Sequence, residues 1–252
     1  MVKTTKIKSN ESKIDSKRGR VPLYIPNFDE LIQGGFEKNS TNLVMGGSGS
    51  GKSIFAIQFI VGGMEKGDKC LYITFEENKE EVFRNMMEFG WDLSEYEKKG
   101  LFIFLEYTPI KVKMMLEEGG GDIESIILRE KVSRVVIDSI TSFALLFEDE
   151  LSRREAALGL FNMISKWNCT ALLTLEEEPL AMAKSTTAGL EFEVDSIILL
   201  YFVRSKDKRE RYIEVLKMRG TKHSKNIYKF NIEKDGIVVD KKPCANPPQK
   251  IL

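Results

Sequence analysis

The run Leu43-Val44-Met45-Gly46-Gly47-Ser48-Gly49-Ser50-Gly51-Lys52-Ser53 decides the fold. Three apolar residues lead into a segment that satisfies the phosphate-loop spacing G-x-x-x-x-G-K-[ST] at every fixed position. A buried strand that ends in such a loop and opens a helix aims several backbone N–H groups and a helix dipole at one small volume, which suits a polyphosphate. In this reading Gly46, Gly47, Ser48, Gly49, Ser50, Gly51, Lys52 and Ser53 cradle the phosphates. Lys52 reaches the β- and γ-phosphates and shares in catalysis, and Ser53 ligates Mg²⁺ through its hydroxyl. A flexible Gly/Ser linker is the competing reading, but it leaves the apolar lead-in and the helical pattern over 54–64 unexplained.

Outward from the loop, short apolar runs alternate with helix-patterned segments from residue 42 to about 200, the rhythm of βαβ units and a parallel sheet. Strands are predicted over 43–46, 70–75, 101–105, 135–138, 171–175 and 196–202, and helices over 53–65, 79–89, 123–131 and 152–167. Beyond 203 the apolar segments 211–217, 227–232 and 236–239, separated by charged or glycine turns, predict an antiparallel extension of the sheet. The fold class is therefore α/β, a mostly parallel central sheet flanked by helices with a C-terminal antiparallel extension. Gly119-Gly120-Gly121 reads as a mobile surface loop, and 243–248 as an unstructured tail. We expect a basic disordered arm over 1–19 carrying Lys3, Lys6, Lys8, Lys13, Lys17 and Arg18, one domain over 20–241, and a flexible tail over 242–252.

A phosphate loop needs a carboxylate on the metal side, and Asp138 stands at the end of the buried run Val135-Val136-Ile137. Ser139 and Thr141, which follow it, are candidates for sensing the γ-phosphate, although hydroxyls at a strand end also cap the next segment. Hydrolysis further needs a group to activate or position water. Glu76 and Glu77 follow the strand that ends at Phe75, and in doubly wound sheets the carboxyl ends of the strands share one crevice. Glu176-Glu177-Glu178 lies on the same rim and reads as an acidic loop, weaker as a catalytic candidate than the first pair.

The 252 residues include 42% hydrophobic side chains, enough for a large single core, and 38 basic residues balance 38 acidic ones. That balance argues against a protein built to coat a polyanion, so nucleic acid is a possible partner of the basic arm but is not implied. Cys70, Cys169 and Cys244 are odd in number and stand without a histidine cluster, which points to neither a disulfide framework nor a zinc site. No apolar run approaches the ~20 residues that span a bilayer, and the beginning of the chain lacks a signal-peptide core. A soluble cytoplasmic protein is expected.

The order of the parts resembles a known family. Ile25-Pro26-Asn27-Phe28-Asp29-Glu30-Leu31 with Gly34-Gly35-Phe36, the phosphate loop, Tyr72-Ile73-Thr74-Phe75-Glu76-Glu77 and Val136-Ile137-Asp138-Ser139-Ile140-Thr141-Ser142 look like KaiC-type members of the RecA superfamily. Val215-Leu216-Lys217-Met218-Arg219-Gly220-Thr221-Lys222-His223 is similar to the K-x-R-G-x-x-H element of that family. The resemblance implies a RecA-like ATPase that uses ATP and Mg²⁺, with active sites between subunits of a ring, commonly a hexamer. It places Lys217, Arg219 and His223 in trans, at the phosphates bound by a neighbouring subunit. Without the resemblance, Lys217 and Arg219 would read as the charged face of an amphipathic strand.

Two departures bear on function. Clock members carry two such domains in tandem, whereas this length suits one. The position of their phosphorylated Ser/Thr pair reads Glu191-Phe192-Glu193-Val194-Asp195 here, so no comparable autokinase switch is expected, and the nearby Ser185-Thr186-Thr187 reads as a loop. The leading expectation is an ATP-hydrolysing ring that acts on a protein partner. The alternatives are an ATP-locked scaffold with negligible turnover and a DNA-dependent relative of the recombinases.

Overall fold

The computed structural model describes residues 19–108, 110–111, 113–114, 121–144, 146–147, 149–177, 193–205 and 207–245. Most of the basic arm, Gly119 and Gly120, Glu178, the 185–187 loop, Glu191 and Phe192, and the tail from 246 lie outside the described residues.

Strands β3 (Thr41–Gly46), β4 (Cys70–Thr74) and β6 (Arg134–Asp138) are buried at every residue, and β7 (Thr170–Glu176) at all but its last. Such continuous burial is what a parallel sheet covered on both faces requires. Alternate residues feed two cores. Val44, Tyr72, Val136 and Leu172 point to one, and Leu43, Met45, Leu71, Ile73, Val135, Ile137 and Leu173 to the other. The first core is closed by α1 (Lys52–Met64), α2 (Lys79–Met87) and α3 (Leu93–Lys98). The second is closed by α4 (Gly121–Glu130) and α6 (Glu150–Lys166), with the short α5 (Thr141–Ala144) between them in sequence. The result is a three-layer sandwich.

With β5 (Phe102–Glu106), β8 (Ser196–Ser205), β9 (Lys208–Met218), β10 (Tyr228–Glu233) and β11 (Gly236–Pro243), the sheet among the described residues has nine strands in the order β11-β10-β9-β8-β3-β7-β6-β4-β5. From β8 to β5 every neighbouring pair is parallel, while β8–β9, β9–β10 and β10–β11 are antiparallel. The fold class expected from the sequence is the one observed. Two details differ. Gly121, expected in a loop, begins α4, where Asp122 and Glu124 in the first turn complement the helix dipole. The last strand runs to Pro243, beyond the expected strand end at 239.

Elements too short for periodicity were not foreseen. Strand β1 (Arg20–Val21) pairs with β2 (Phe36–Glu37), and between them Asp29 opens a 3₁₀ turn while its carboxylate accepts the N–H groups of Leu23 and Tyr24 at 2.9 Å each. This segment covers α1 on the side away from the sheet. Phe28 meets Phe55 and Phe36 meets Phe59 edge-to-face, each pair at 5.7 Å, so α1 is apolar nearly all round because it is packed all round.

Arg134 ties this cover to the sheet. It is 2% exposed, donates from Nε to Asp68 at 2.7 Å and from Nη1 to the carbonyls of Pro22 and Phe59 at 2.7 and 3.0 Å, and lies 4.7 and 5.4 Å from the ring centroids of Phe59 and Tyr24. A Cβ on Gly63 of α1 would stand 2.3 Å from Arg134 Nε, so the guanidinium needs glycine there. Arg134→Ala is expected to lower stability by about 3–5 kcal/mol, because it strands two carbonyls, takes away the partner of Asp68 and opens a void between two rings. Urea unfolding at neutral pH reads this loss, and a change below 1 kcal/mol would refute the role.

Candidate nucleotide site

Gly51 caps α1 with φ +106°, a left-handed conformation that glycine adopts without penalty, and Phe55 N–H donates to Gly51 O at 2.9 Å as the helix begins. The loop therefore turns tightly out of β3 and straight into α1. Lys52 is 8% exposed and lies back along the loop, with Nζ donating to Gly46 O at 2.9 Å and to Gly47 O at 3.0 Å, and 3.5 Å from Glu176 Oε2. Ser50 Oγ is buried with no hydrogen-bond partner among the described residues. Ser48, Gly49, Gly51, Lys52 and Ser53 line a cavity of about 400 Å³.

The expected acids face the same cavity. Asp138, Glu76, Glu77 and Ser139 all line it, because β4 and β6 are parallel neighbours in register, Thr74 opposite Asp138, and end on one rim. Asp138 is 9% exposed. Its Oδ2 accepts the Tyr72 hydroxyl at 2.5 Å and its Oδ1 accepts the Thr174 hydroxyl. Burial, and next the Asp138 charge, push the Tyr72 phenol well above its usual range, so Tyr72 stays a donor. Glu76 accepts from Ser139 Oγ at 3.0 Å and from Ser142 Oγ, so Ser139 holds a catalytic candidate in place. Thr141 Oγ1 accepts Glu176 N–H at 2.8 Å and so ties the start of α5 to the end of β7. Glu77 lies beside other acids. Burial first, then the charges of Asp138, Glu81 and Glu76, raise its carboxyl above the ordinary range. Thr74 Oγ1 accepts both Glu76 N–H and Glu77 N–H, at 3.3 and 3.1 Å, and so sets the turn that aims the pair.

The carboxylates of Glu76, Glu77, Asp138 and Glu176 outweigh Lys52 and Arg211 in this cavity, which suits a bound cation. The Ser53 hydroxyl and the Asp138 carboxylate, both on the wall of this cavity, are hard oxygens of the kind Mg²⁺ prefers. No group of three or more His, Cys, Asp or Glu that could hold a metal occurs among the described residues, so such a cation would draw its remaining ligands from phosphates and water.

Lys217, Arg219 and His223 lie elsewhere. Lys217 Nζ donates to Val194 O at 2.8 Å, and Arg219 N–H donates to Asp195 O at 2.8 Å with its guanidinium 3.8 Å from that carboxylate. His223 Nδ1 is 2.8 Å from Ser224 O. Asp195 in turn accepts the N–H of Thr41, the first residue of β3, whereas the phosphate loop leaves from Gly46 at the other end. A strand of 6 residues separates them, about 20 Å, so within one chain Lys217 and Arg219 do not reach the loop.

Arg211 was not foreseen. Its guanidinium stacks 4.2 Å from the centroid of the Phe202 ring, donates to Gly49 O at 3.0 and 3.3 Å and lines the cavity together with Ile232. No local motif marks it. Its role follows from β8 joining β3 directly, which stands the antiparallel strands beside the loop.

A phosphate loop between a central parallel strand and its helix, a carboxylate closing a nearby parallel strand and an antiparallel extension on the loop side define a RecA-like phosphate-loop fold. Comparison with known proteins narrows this. The chain belongs to the KaiC family of ATPase domains, whose model, described as "ATPase: KaiC", matches residues 21–243. It is 33% identical over 223 residues to the circadian clock protein KaiC3 of Synechocystis, covering 85% of this chain and 44% of that protein. It is 33% identical over 233 residues to a UPF0273 protein of Pyrococcus furiosus, covering 87% of this chain and 93% of that one. The chain thus spans less than half of the clock protein and nearly all of the archaeal one. A crystal structure of a KaiC-like protein from Pyrococcus horikoshii, 36% identical, superposes with a TM-score of 0.78 over 89% of this chain and 100% of its own. No helix among the described residues is long and apolar enough to cross a membrane.

Proposed function

We propose that this protein binds ATP with Mg²⁺ and hydrolyses it in a cytoplasmic ring, each site completed by the next subunit. The observation that carries this reading is the division of the charged groups. The loop, Asp138 and the glutamate pair share one cavity, while Lys217 and Arg219 sit at the opposite end of the same strands.

The chemistry follows from the residues. Mg²⁺, when bound, neutralises phosphate charge and fixes the phosphate chain against the loop. Lys52 exchanges its loop carbonyls for phosphate oxygens, and Asp138, clamped by Tyr72 and Thr174, offers a fixed oxygen pair on the metal side. Glu77, with its carboxyl raised by burial, accepts a proton from the attacking water, and Glu76, held by Ser139 and Ser142, orients it. Arg211, 4.2 Å over the Phe202 ring, and Ile232 line the cavity and offer contacts for the base. Lys217 and Arg219 of a neighbouring subunit add positive charge where negative charge spreads over the transferred phosphoryl group.

The test is ATP turnover with Mg²⁺ across protein concentration, with mass determined alongside. Activity per subunit is expected to rise as the assembly forms. An ATP-dependent assembly with no turnover would favour a nucleotide-locked scaffold, and turnover appearing only with single-stranded DNA and falling with salt would favour a nucleic-acid-dependent ATPase.

A further inference from the structure

Glu176 closes β7 and reads in the sequence as the start of an acidic loop. Its surroundings are more specific. Strand β7 lies between β3, which carries the phosphate loop, and β6, which carries Asp138, so Glu176 stands between loop and acid. Its backbone is pinned from two sides, by Gly46 and by Thr141. Glu176 pairs with Gly46 in register, its N–H donates to Thr141 Oγ1 at 2.8 Å, and the next N–H, of Glu177, donates to Gly46 O at 3.2 Å. The carboxylate lines the cavity, is half exposed at 50% and lies 3.5 Å from Lys52 Nζ.

An ammonium group has three hydrogens to place. Those of Lys52 face Gly46 O, Gly47 O and Glu176, of which only Glu176 carries a charge. We infer that Glu176 is a specificity-determining residue: its carboxylate stands in for phosphate as the counter-ion of Lys52 and sets how strongly the site prefers a nucleoside triphosphate over a diphosphate. This rests on the nucleotide reading above. A polyphosphate that takes Lys52 leaves the Glu176 charge facing it, on the flank shared with Glu76 and Asp138. A longer phosphate chain brings more negative charge to that flank. Glu176 therefore penalises the triphosphate more than the diphosphate and keeps a product-like ligand competitive.

Glu176→Gln keeps the shape and the hydrogen-bonding length but removes the charge. After solvent screening at a half-exposed position, the variant is expected to bind a triphosphate about tenfold more tightly and a diphosphate less than about threefold more tightly. Calorimetric titration with adenylyl imidodiphosphate and with ADP, each at saturating Mg²⁺ and at low and high salt, reads the ratio directly. The gain should shrink at high salt. Glu176→Ala should shift the ratio the same way, and Glu65→Gln, an equal charge change at the far end of α1, should leave it unmoved. Wild-type binding with a ratio unchanged in both Glu176 variants would overturn this inference and leave the nucleotide reading intact. An equal shift with Glu65→Gln would assign the effect to net charge and overturn it too. A wild type that binds neither ligand would overturn both.

Discussion

Replacing Glu76 and Glu77 together by glutamine is expected to lower ATP turnover about a thousandfold while ATP binding is kept or tightened, the signature of lost proton transfer and water positioning rather than lost binding. Each glutamine retains the volume and the capacity to accept a hydrogen bond, so Ser139 and Ser142 keep a partner and the turn set by Thr74 is undisturbed. What disappears is the basic oxygen. The single variants should separate the two roles, with Glu77→Gln the more damaging, because burial and neighbouring charges raise its carboxyl toward the range of a general base. Steady-state kinetics paired with calorimetry checks this, and a double variant that turns over at the wild-type rate would remove the pair from the mechanism.

Arg219→Ala is expected to cause a loss of similar size, about a thousandfold, the usual worth of an arginine that meets transition-state charge from a neighbouring subunit. The geometry makes the test decisive. Arg219 sits by Asp195 at the amino end of β3, and Lys52 opens α1 beyond its carboxyl end, so a site that needs both must draw them from two chains. Mixing Arg219→Ala with Lys52→Ala, each inactive alone, should therefore restore part of the activity. Mixed assemblies contain interfaces at which an intact loop meets an intact arginine. Two inactive proteins that stay inactive when mixed, although mass measurement shows them co-assembled, would assign Arg219 to its own chain's structure.

Most of the candidate site was legible because its parts are local. The phosphate loop is a contiguous spacing, and Asp138 and Glu76-Glu77 each follow a run of residues apolar enough to name a buried strand. Parallel strands end on a common rim, so strand ends alone brought these acids near the loop. Tyr72 and Thr174 were not legible as clamps on Asp138. Both read as ordinary strand residues, and their hydroxyls meet the carboxylate only because β6 lies between β4 and β7. Arg211 was hidden for the same reason, since a cation in an amphipathic strand has no signal until the strand order stands it over Gly49.

The sequence by itself determined the α/β class, the loop with its helix and the identity of the acids, because these depend on residues a few positions apart and on burial periods of the chain. Only the tertiary structure decided the strand order, the buried Arg134 tie between the N-terminal segment and the sheet, the charge of Glu176 on Lys52, and the separation of Lys217 and Arg219 from the loop. Those depend on which non-adjacent strands pair. That choice is a property of how two cores close around one sheet, and no local stretch of sequence carries it.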